Sequence, residues 1–154
     1  MSDEKVRWGI ISTANISNWG FIPAFRLAAR GELVAVASRD RATGEDFAGR
    51  HEIPQVFDSY RAMLESDAID AVYNPLPNSL HAEWTIAAAQ NGKHVFCDKP
   101  LCVDAGEVER MASARAAAGG RGEGLHEMPL VPGRAAAGDR PGACLLYTSP
   151  SPRA

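Results

Sequence analysis

Four groups of polar or turn-forming residues follow directly after apolar runs, and these residues could do chemistry. They are Ser12–Ala14, Ser38–Arg39, Asn74–Asn78 and Cys97–Pro100. In a parallel sheet, ligands bind beyond the carboxyl ends of the strands, where the strand order reverses. The sequence therefore predicts a ligand site at one edge of such a sheet.

The first group has the spacing of a phosphate-binding turn. Ser12, Ala14 and Ser17 occupy a small-x-small-x-x-small pattern between an apolar run and a helical one. A turn of small residues lets backbone N–H groups approach a pyrophosphate, and a helix N-terminus adds partial positive charge. None of the three is glycine, so the pattern also fits a buried strand followed by an ordinary helix.

The second group offers a cation and a hydroxyl. Arg39 is either a plain surface arginine or a guanidinium that binds, together with Ser38, the 2′-phosphate of a dinucleotide. An acidic residue at this place favours a 2′-hydroxyl instead, and Asp40 is the next residue along the chain. The residues alone leave both alternatives open.

The last two groups contain a histidine, a lysine and a cysteine. His81, at the start of a predicted helix, is either a surface or capping histidine or a ligand contact. Lys99, one residue beyond a strand end, is either a solvated charge or a group that polarises a ligand oxygen and relays its proton. Cys97 suits inert packing in an apolar strand. The three cysteines lack paired or metal-ligand spacing, which predicts no metal site and fits a reducing cytoplasm.

Alternating patterns place these residues on a sheet with helices. Strands are predicted at 6–11, 33–38, 53–57, 71–74 and 94–97, and helices at 16–29, 43–50, 59–64, 81–90 and 105–118. We expect Asp58 to cap the third helix, and Asp104 with Glu107 to form a capping box for the last. Pro54 favours an edge position for the third strand. The alternation predicts an α/β fold, a Rossmann-type doubly wound parallel sheet.

Composition narrows the class of protein. The 154 residues are 45% hydrophobic and 23% charged, with a formal net charge of −3, which argues against a nucleic-acid or membrane-surface role. The apolar runs fall short of the ~20 residues of a membrane span, and the charged N-terminus lacks a secretory pattern. We expect a cytoplasmic protein.

Four segments together resemble the N-terminal domain of the glucose–fructose oxidoreductase (Gfo/Idh/MocA) family of NAD(P)-dependent sugar and polyol dehydrogenases, inositol dehydrogenase among them. These segments are Trp8–Ile16, Val36–Arg39, Tyr73–His81 and His94–Pro100. The resemblance extends over about residues 6–118. The Ser-Thr-Ala turn is most similar to the branch that contains dihydrodiol dehydrogenase and NADP-linked xylose dehydrogenase.

The resemblance implies a dinucleotide along the carboxyl edge of the sheet, NADP with NAD as the alternative. The residues that it places at the pyrophosphate are Gly9, Ser12, Thr13, Ala14, Asn15 and Ile16. Ser38 and Arg39 would bind the 2′-phosphate. The residues that would border the track from adenosine to nicotinamide are Pro75, Leu76, Asn78 and His81.

The family's Glu-Lys-Pro motif implies the catalytic residue. Lys99 matches its lysine, and would contact the nicotinamide ribose and the reacting oxygen of a sugar, polyol or diol. Asp98 stands where the family has glutamate, a shortening by one carbon that keeps the charge. The resemblance further implies a small-molecule substrate and a homo-oligomeric parent enzyme.

The pattern changes after Gly119. Residues 1–119 match the dinucleotide-binding domain, whereas 120–154 are dense in Gly, Pro, Ala and Arg and predict a disordered, non-native tail. A one-base shift through 120–132 permits codons for an apolar strand, and 144–153 resembles translated sequencing adapter. The family's second, substrate-binding domain has no counterpart, so the resemblance implies truncation before it.

Three interpretations follow. The sequence derives from an NADP(H)-dependent dehydrogenase of sugars or cyclic diols, is a free-standing nucleotide-binding module, or is a truncated or misassembled reading frame. The features favour the first for ancestry and the third for the physical chain. The nucleotide sequence around the Gly119 codon distinguishes them.

Overall fold

A computed structural model describes residues 5–118, which contain five parallel strands in one sheet. The strands are β1 (Val6–Ile11), β2 (Gly31–Ala37), β3 (Gln55–Phe57), β4 (Ala71–Asn74) and β5 (His94–Cys97). Their order across the sheet is β3-β2-β1-β4-β5. The chain therefore winds outward from β1 to one edge and then returns to start again at β4, which confirms the predicted doubly wound topology.

Helices and helical turns connect these strands. The α-helices are α1 (Ile22–Phe25), α2 (Arg41–His51), α3 (Tyr60–Glu65), α4 (His81–Gln90) and α5 (Ala105–Ala117). A π-helical turn precedes α1 at Ser17–Phe21, and a 3-10 turn precedes α4 at Asn78–Leu80. The bounds of β4, α4 and β5 agree with the sequence prediction, and β3 lies at an edge, as its proline predicts.

Separate apolar clusters cover the two faces of the sheet. Ile10 and Ile11 are adjacent in β1, so their side chains point to opposite faces, and both are fully buried. Ile11 packs in a cluster with Met63 and Leu64 of α3, whereas Ile10 packs in a second cluster with Phe47 of α2. Burial on both faces explains why the strands are apolar runs without alternation.

The helix predicted over 16–29 is present but ends earlier, and part of it is π-helical. The Ile22 N–H donates to the Ser17 carbonyl five residues earlier, and α1 then extends only to Phe25. Pro23 has no N–H, so the ladder of i to i−4 hydrogen bonds is interrupted at this point. Phe25 then packs so closely over Gly31 that a Cβ there would lie 2.6 Å from its Cζ atom.

The helix caps differ in part from the prediction. Ser59, not Asp58, caps α3, and its side chain accepts a hydrogen bond from the Ala62 N–H. Asp104 caps α5 as predicted, accepting from the Glu107 N–H at 2.9 Å, but Glu107 reaches back to the Val103 N–H. In the predicted capping box, Glu107 would accept from the N–H of Asp104, whereas in the structure it accepts from that of Val103.

The helices of the described residues include none that is long and apolar enough to cross a membrane. The predicted domain boundary at Gly119 and the predicted tail at 120–154 lie outside the described residues.

Candidate functional site

A cleft of about 340 Å³ lies at the carboxyl ends of β1, β2 and β4, where the strand order reverses. Its walls come from the turn after β1, the start of α2, the start of α3 and the segment after β4. The lining residues are Ser12, Thr13, Ala14, Ser38, Arg39, Asp40, Thr43, Tyr60, Pro75, Leu76 and Pro77. Seven of the predicted site residues are among them: Ser12, Thr13, Ala14, Ser38, Arg39, Pro75 and Leu76.

The turn after β1 is held by hydrogen bonds at its start and its end. The Ser12 N–H donates to the Ala37 carbonyl at 2.8 Å, and the Ser17 N–H donates to the Ala14 carbonyl at 2.9 Å. Ser12 has φ of 79°, in the left-handed region that favours glycine. Its Oγ accepts from the Ala14 N–H at 3.3 Å, and this local bond helps a non-glycine residue to adopt the conformation. The turn therefore has the backbone form of the glycine version.

One polar atom near this turn is left unsatisfied. The Ser17 hydroxyl is fully buried and makes no hydrogen bond within the described residues. Burial of a hydroxyl without a partner is unfavourable, so this atom is a conspicuous exception in an otherwise paired region.

Arg39, which follows β2, is exposed to solvent, whereas its neighbours Ser38 and Asp40 both form hydrogen bonds. Ser38 is buried, and its Oγ accepts from the Asp40 N–H at 3.2 Å. The Asp40 carboxylate caps α2, where it accepts from the Thr43 N–H at 2.8 Å and from the Thr43 hydroxyl. The hydrogen bonds from Thr43, the hydroxyl first, lower the pKa of Asp40. The carboxylate is thus already bonded to the helix that it caps.

Sequence reasoning missed three lining residues, Asp40 as part of the wall, Thr43 and Tyr60, whereas Pro77 lies within the predicted group Asn74–Asn78. The spacing of Asp40 and Thr43 is that of an N-cap and its third residue, a signal that could have placed both. Tyr60 is buried and lies edge-on to Trp84, with ring centroids 5.1 Å apart. Its surroundings are those of a core residue, and the residues next to it in the sequence do not indicate that it lines a cleft.

The segment after β5 lies beside the segment after β4. The Asp98 N–H donates to the Asn74 carbonyl at 3.0 Å. The Asp98 carboxylate accepts from the Lys99 N–H at 2.9 Å and from the Tyr73 hydroxyl at 3.2 Å. Burial, followed by the charge of Asp98, raises the pKa of Tyr73. Lys99 itself is exposed, and its peptide bond to Pro100 is cis.

His81 lies beneath these two segments. It is 1% exposed, and its Nδ1 and Nε2 atoms lie 2.7 Å from the Pro100 carbonyl oxygen and 2.6 Å from the Leu76 carbonyl oxygen. Asn74 is fully buried beside it, donating to the His81 carbonyl and accepting from the Leu76 N–H. His81 therefore bonds the protein backbone on both sides of its ring.

The structure does not bring all predicted site residues to the cleft wall. Those that are not among the lining residues are Gly9, Asn15, Ile16, Asn78, His81, Asp98 and Lys99. Gly9 lies inside β1, where a Cβ would come within 2.9 Å of Met63 Sδ, so packing alone accounts for a glycine there. Asn15 and Asn78 are exposed. Their assignments to a cofactor stay predictions.

Residues 6–121 match the oxidoreductase family with an NAD-binding Rossmann fold, Gfo/Idh/MocA. Among curated proteins, the chain is 48% identical over 101 residues to a D-xylose 1-dehydrogenase (NADP(+)) from Haloferax volcanii. It is 36% identical over 110 residues to a trans-1,2-dihydrobenzene-1,2-diol dehydrogenase from Xenopus laevis. These matches cover 66% and 70% of this chain but only 31% and 33% of the relatives.

Solved structures agree with these sequence matches. A 3-ketoreductase from Actinomadura kijaniata, determined in complex with NADP and TDP-benzene, superposes with a TM-score of 0.71 at 36% identity. The match covers 75% of this chain and 35% of that one. The chain therefore spans about a third of the length of the relatives that it matches.

Proposed function

The chain belongs to the Gfo/Idh/MocA oxidoreductase family, and from that membership we propose that it is the NADP(H)-binding part of a dehydrogenase or reductase. The substrate class that we propose is a sugar, a polyol or a cyclic diol, with hydride transfer at a carbon that bears oxygen. The resemblance also supports a homo-oligomeric parent enzyme, and the spacing of the cysteines supports a cytoplasmic one.

The observation that carries the proposal is the arrangement of charge at the cleft. The small-residue turn Ser12–Ala14 forms one wall, and Arg39 stands at the neighbouring wall. Among the described residues that line the cleft, Asp40 has the only carboxylate, and this carboxylate is bonded to Thr43 at the start of α2. A guanidinium and hydroxyls therefore line the place for a 2′-phosphate, and the one acidic group there already has partners.

These residues fit the dinucleotide that the family binds. The turn offers backbone N–H groups to the pyrophosphate, and Ser38 and Arg39 would hold the 2′-phosphate. Tyr60 and Leu76 provide apolar surface for the adenosine. When bound, the nicotinamide donates or accepts the hydride.

Lys99 is the residue that we propose for proton chemistry. Its ammonium can donate a hydrogen bond to the substrate's reacting oxygen, which stabilises negative charge on that oxygen during reduction. In the oxidation direction, Lys99 would relay the hydroxyl proton to solvent, to which the residue is exposed. Asp98, bonded to the Lys99 N–H at 2.9 Å, fixes the backbone from which this side chain extends.

Titration of the 154-residue chain with NADPH and NADH tests the proposal. We expect Arg39→Ala to weaken NADPH binding about ten- to a hundredfold, because a charge-assisted phosphate contact contributes about 1.5–3 kcal/mol. NADH binding should change little, since NADH lacks the 2′-phosphate.

Arg50→Ala is the matched control. Arg50 lies in the last turn of α2 and pairs with Asp46 at 3.0 Å, so its loss removes the same charge without touching the cleft. Equal weakening of NADPH and NADH by Arg39→Ala, or equal effects of the two variants, would contradict the NADP(H) assignment.

A further inference from the structure

The segment that carries Lys99 is attached to the sheet on both sides of the lysine. Before it, the Asp98 carboxylate accepts hydrogen bonds from the Tyr73 hydroxyl and the Lys99 N–H. After it, the Pro100 carbonyl oxygen lies 2.7 Å from His81 Nδ1. Lys99 is thus an exposed residue whose two chain neighbours are each bonded to a buried side chain. Tyr73 is 3% exposed and His81 is 1% exposed.

We propose that Tyr73 and His81 are positioning residues, which hold the Lys99 backbone at the carboxyl edge of the sheet through Asp98 and Pro100 respectively. The inference rests on the proposed function of Lys99. It assigns to Tyr73, a strand residue with no place among the predicted site residues, a part in the geometry of the reaction.

Tyr73 is well placed for this task because its ring is immobilised. The ring stacks on Phe21 with centroids 4.1 Å apart and on Phe96 at 5.4 Å. Because the ring is fixed, the position of its hydroxyl is fixed too, and this hydroxyl donates to the Asp98 carboxylate at 3.2 Å. The aspartate side chain is short, so the tyrosine fixes the carboxylate close to the backbone.

His81 connects the same segment to the cleft wall. Its Nδ1 lies 2.7 Å from the Pro100 carbonyl oxygen and its Nε2 lies 2.6 Å from the Leu76 carbonyl oxygen, so the ring bridges the two segments. Leu76 is itself a lining residue of the cleft. The distance from the cleft wall to the lysine is therefore set by one buried ring.

Hydrogen exchange of the Lys99 amide tests the proposal, measured by NMR on the full 154-residue chain without cofactor. In the wild type we expect this amide to exchange more slowly than an exposed, unbonded amide. Tyr73→Phe keeps the stacked ring and removes only the hydroxyl. We expect it to speed exchange about fivefold, the factor that corresponds to a net hydrogen bond of about 1 kcal/mol. The Val72 amide, at the centre of the sheet, reports in the same spectra whether the fold is intact.

A matched pair of variants tests His81. The amide nitrogen of Asn takes the place of Nδ1 and that of Gln the place of Nε2. His81→Asn therefore retains the donor to Pro100 and should leave Lys99 exchange near the wild-type rate. His81→Gln retains only the donor to Leu76 and should speed it. A merely structural role would produce equal changes in both variants.

The outcomes separate this proposal from the proposed function. An unprotected Lys99 amide in the wild type, an unchanged rate in Tyr73→Phe, or equal or reversed rates in the His81 pair would overturn the positioning roles. These measurements need no cofactor, so they stand whether or not the chain prefers NADPH. If Tyr73→Phe does not fold, the His81 pair still decides, and if a His81 variant does not fold, Tyr73→Phe still decides.

Discussion

At the scale of single residues, Ser12 combines a glycine-like backbone with a useful side chain. Its φ of 79° places the Cβ atom against the backbone, which costs a non-glycine residue about 1–2 kcal/mol. The Oγ hydrogen bond to the Ala14 N–H offsets part of that cost. A serine at this position is therefore more strained than a glycine, but its side chain adds a hydrogen bond within the turn.

This balance predicts different effects for two substitutions at Ser12. Both Ser12→Gly and Ser12→Ala lose the Oγ bond, but only alanine keeps the Cβ penalty. We expect the glycine variant to be more stable than the alanine variant by about 1 kcal/mol, measured by urea denaturation. An alanine variant as stable as the glycine variant would show that the turn relaxes away from the left-handed conformation.

At the scale of elements, α2 is placed close to β2 and β3 by a glycine. A Cβ at Gly44 would lie 3.0 Å from both Ser38 Cβ and Val56 Cγ1, whereas one at Gly49 in the same helix would meet nothing within 4 Å. Gly44 thus sets the distance between the helix and the strand end that carries Ser38.

Alanine at the two glycines should therefore act in opposite directions. We expect Gly44→Ala to destabilise the fold by about 1–3 kcal/mol through overpacking and to weaken NADPH binding. Gly49→Ala should stabilise it by about 0.5–1 kcal/mol, because alanine is the better helix former. Denaturation and NADPH titration of both variants check this, and equal stabilities would mean that α2 shifts without penalty.

β5 carries a titratable group that makes stability depend on pH. Burial has the largest effect on the pKa of His94 and lowers it. The charge of Asp70 raises this pKa, and the charge of Arg115 lowers it, so the pKa is lowered overall. The folded state thus favours neutral His94, while the unfolded chain takes up a proton below about pH 6.5. Stability is then greatest above that pH and falls as the pH decreases through the lowered, folded-state pKa.

We expect His94→Gln to reduce this loss of stability between pH 7.5 and pH 5.5. The measurement is urea denaturation of both proteins at several pH values in that window, where most carboxylates remain ionised. His51, whose pKa burial also lowers, stays in both proteins and cancels in the comparison. Parallel pH profiles would show that His94 does not contribute.

The sequence predicted those elements that strong local signals delimit. Pro75 has no N–H to continue β4, and Gly92, with φ of 69°, ends α4 in the left-handed conformation that favours glycine, so the bounds there agree with the structure. The helix before β2 was predicted to extend too far because Pro23 changes the hydrogen-bond register without changing the apolar pattern. The position of the cleft was predicted from the polar residues at the strand ends, because a parallel topology brings these ends to one edge of the sheet. The places of Tyr60 and His81 depend on Trp84 and Pro100, contacts that no local pattern encodes.

At the scale of the whole molecule, the described residues form a cleft at the carboxyl ends of the strands and leave Lys99 exposed. Hydride transfer needs the reacting carbon held in a fixed orientation and water excluded, which an exposed lysine alone does not achieve. The chain spans about a third of the length of its relatives. We expect the 154-residue chain to bind NADPH without turnover.

A spectrophotometric assay with NADP and a panel of sugars, polyols and diols tests this expectation. The absorbance of the reduced nicotinamide should increase no faster with the protein than without it. A steady rise that Lys99→Ala abolishes would contradict it and would place the complete reaction within this chain.

The contact between Tyr60 and Trp84 has an optical consequence. Tyr60 lines the cleft, and the Trp84 indole lies edge-on behind it at 5.1 Å. Trp8 packs against Phe21 and Phe25 instead, and Trp19 is largely solvent-exposed. Indole emission overlaps the absorption band of reduced nicotinamides. A native fluorophore therefore lies directly behind the wall of the cleft, and a bound dinucleotide in its reduced form would absorb the light that it emits.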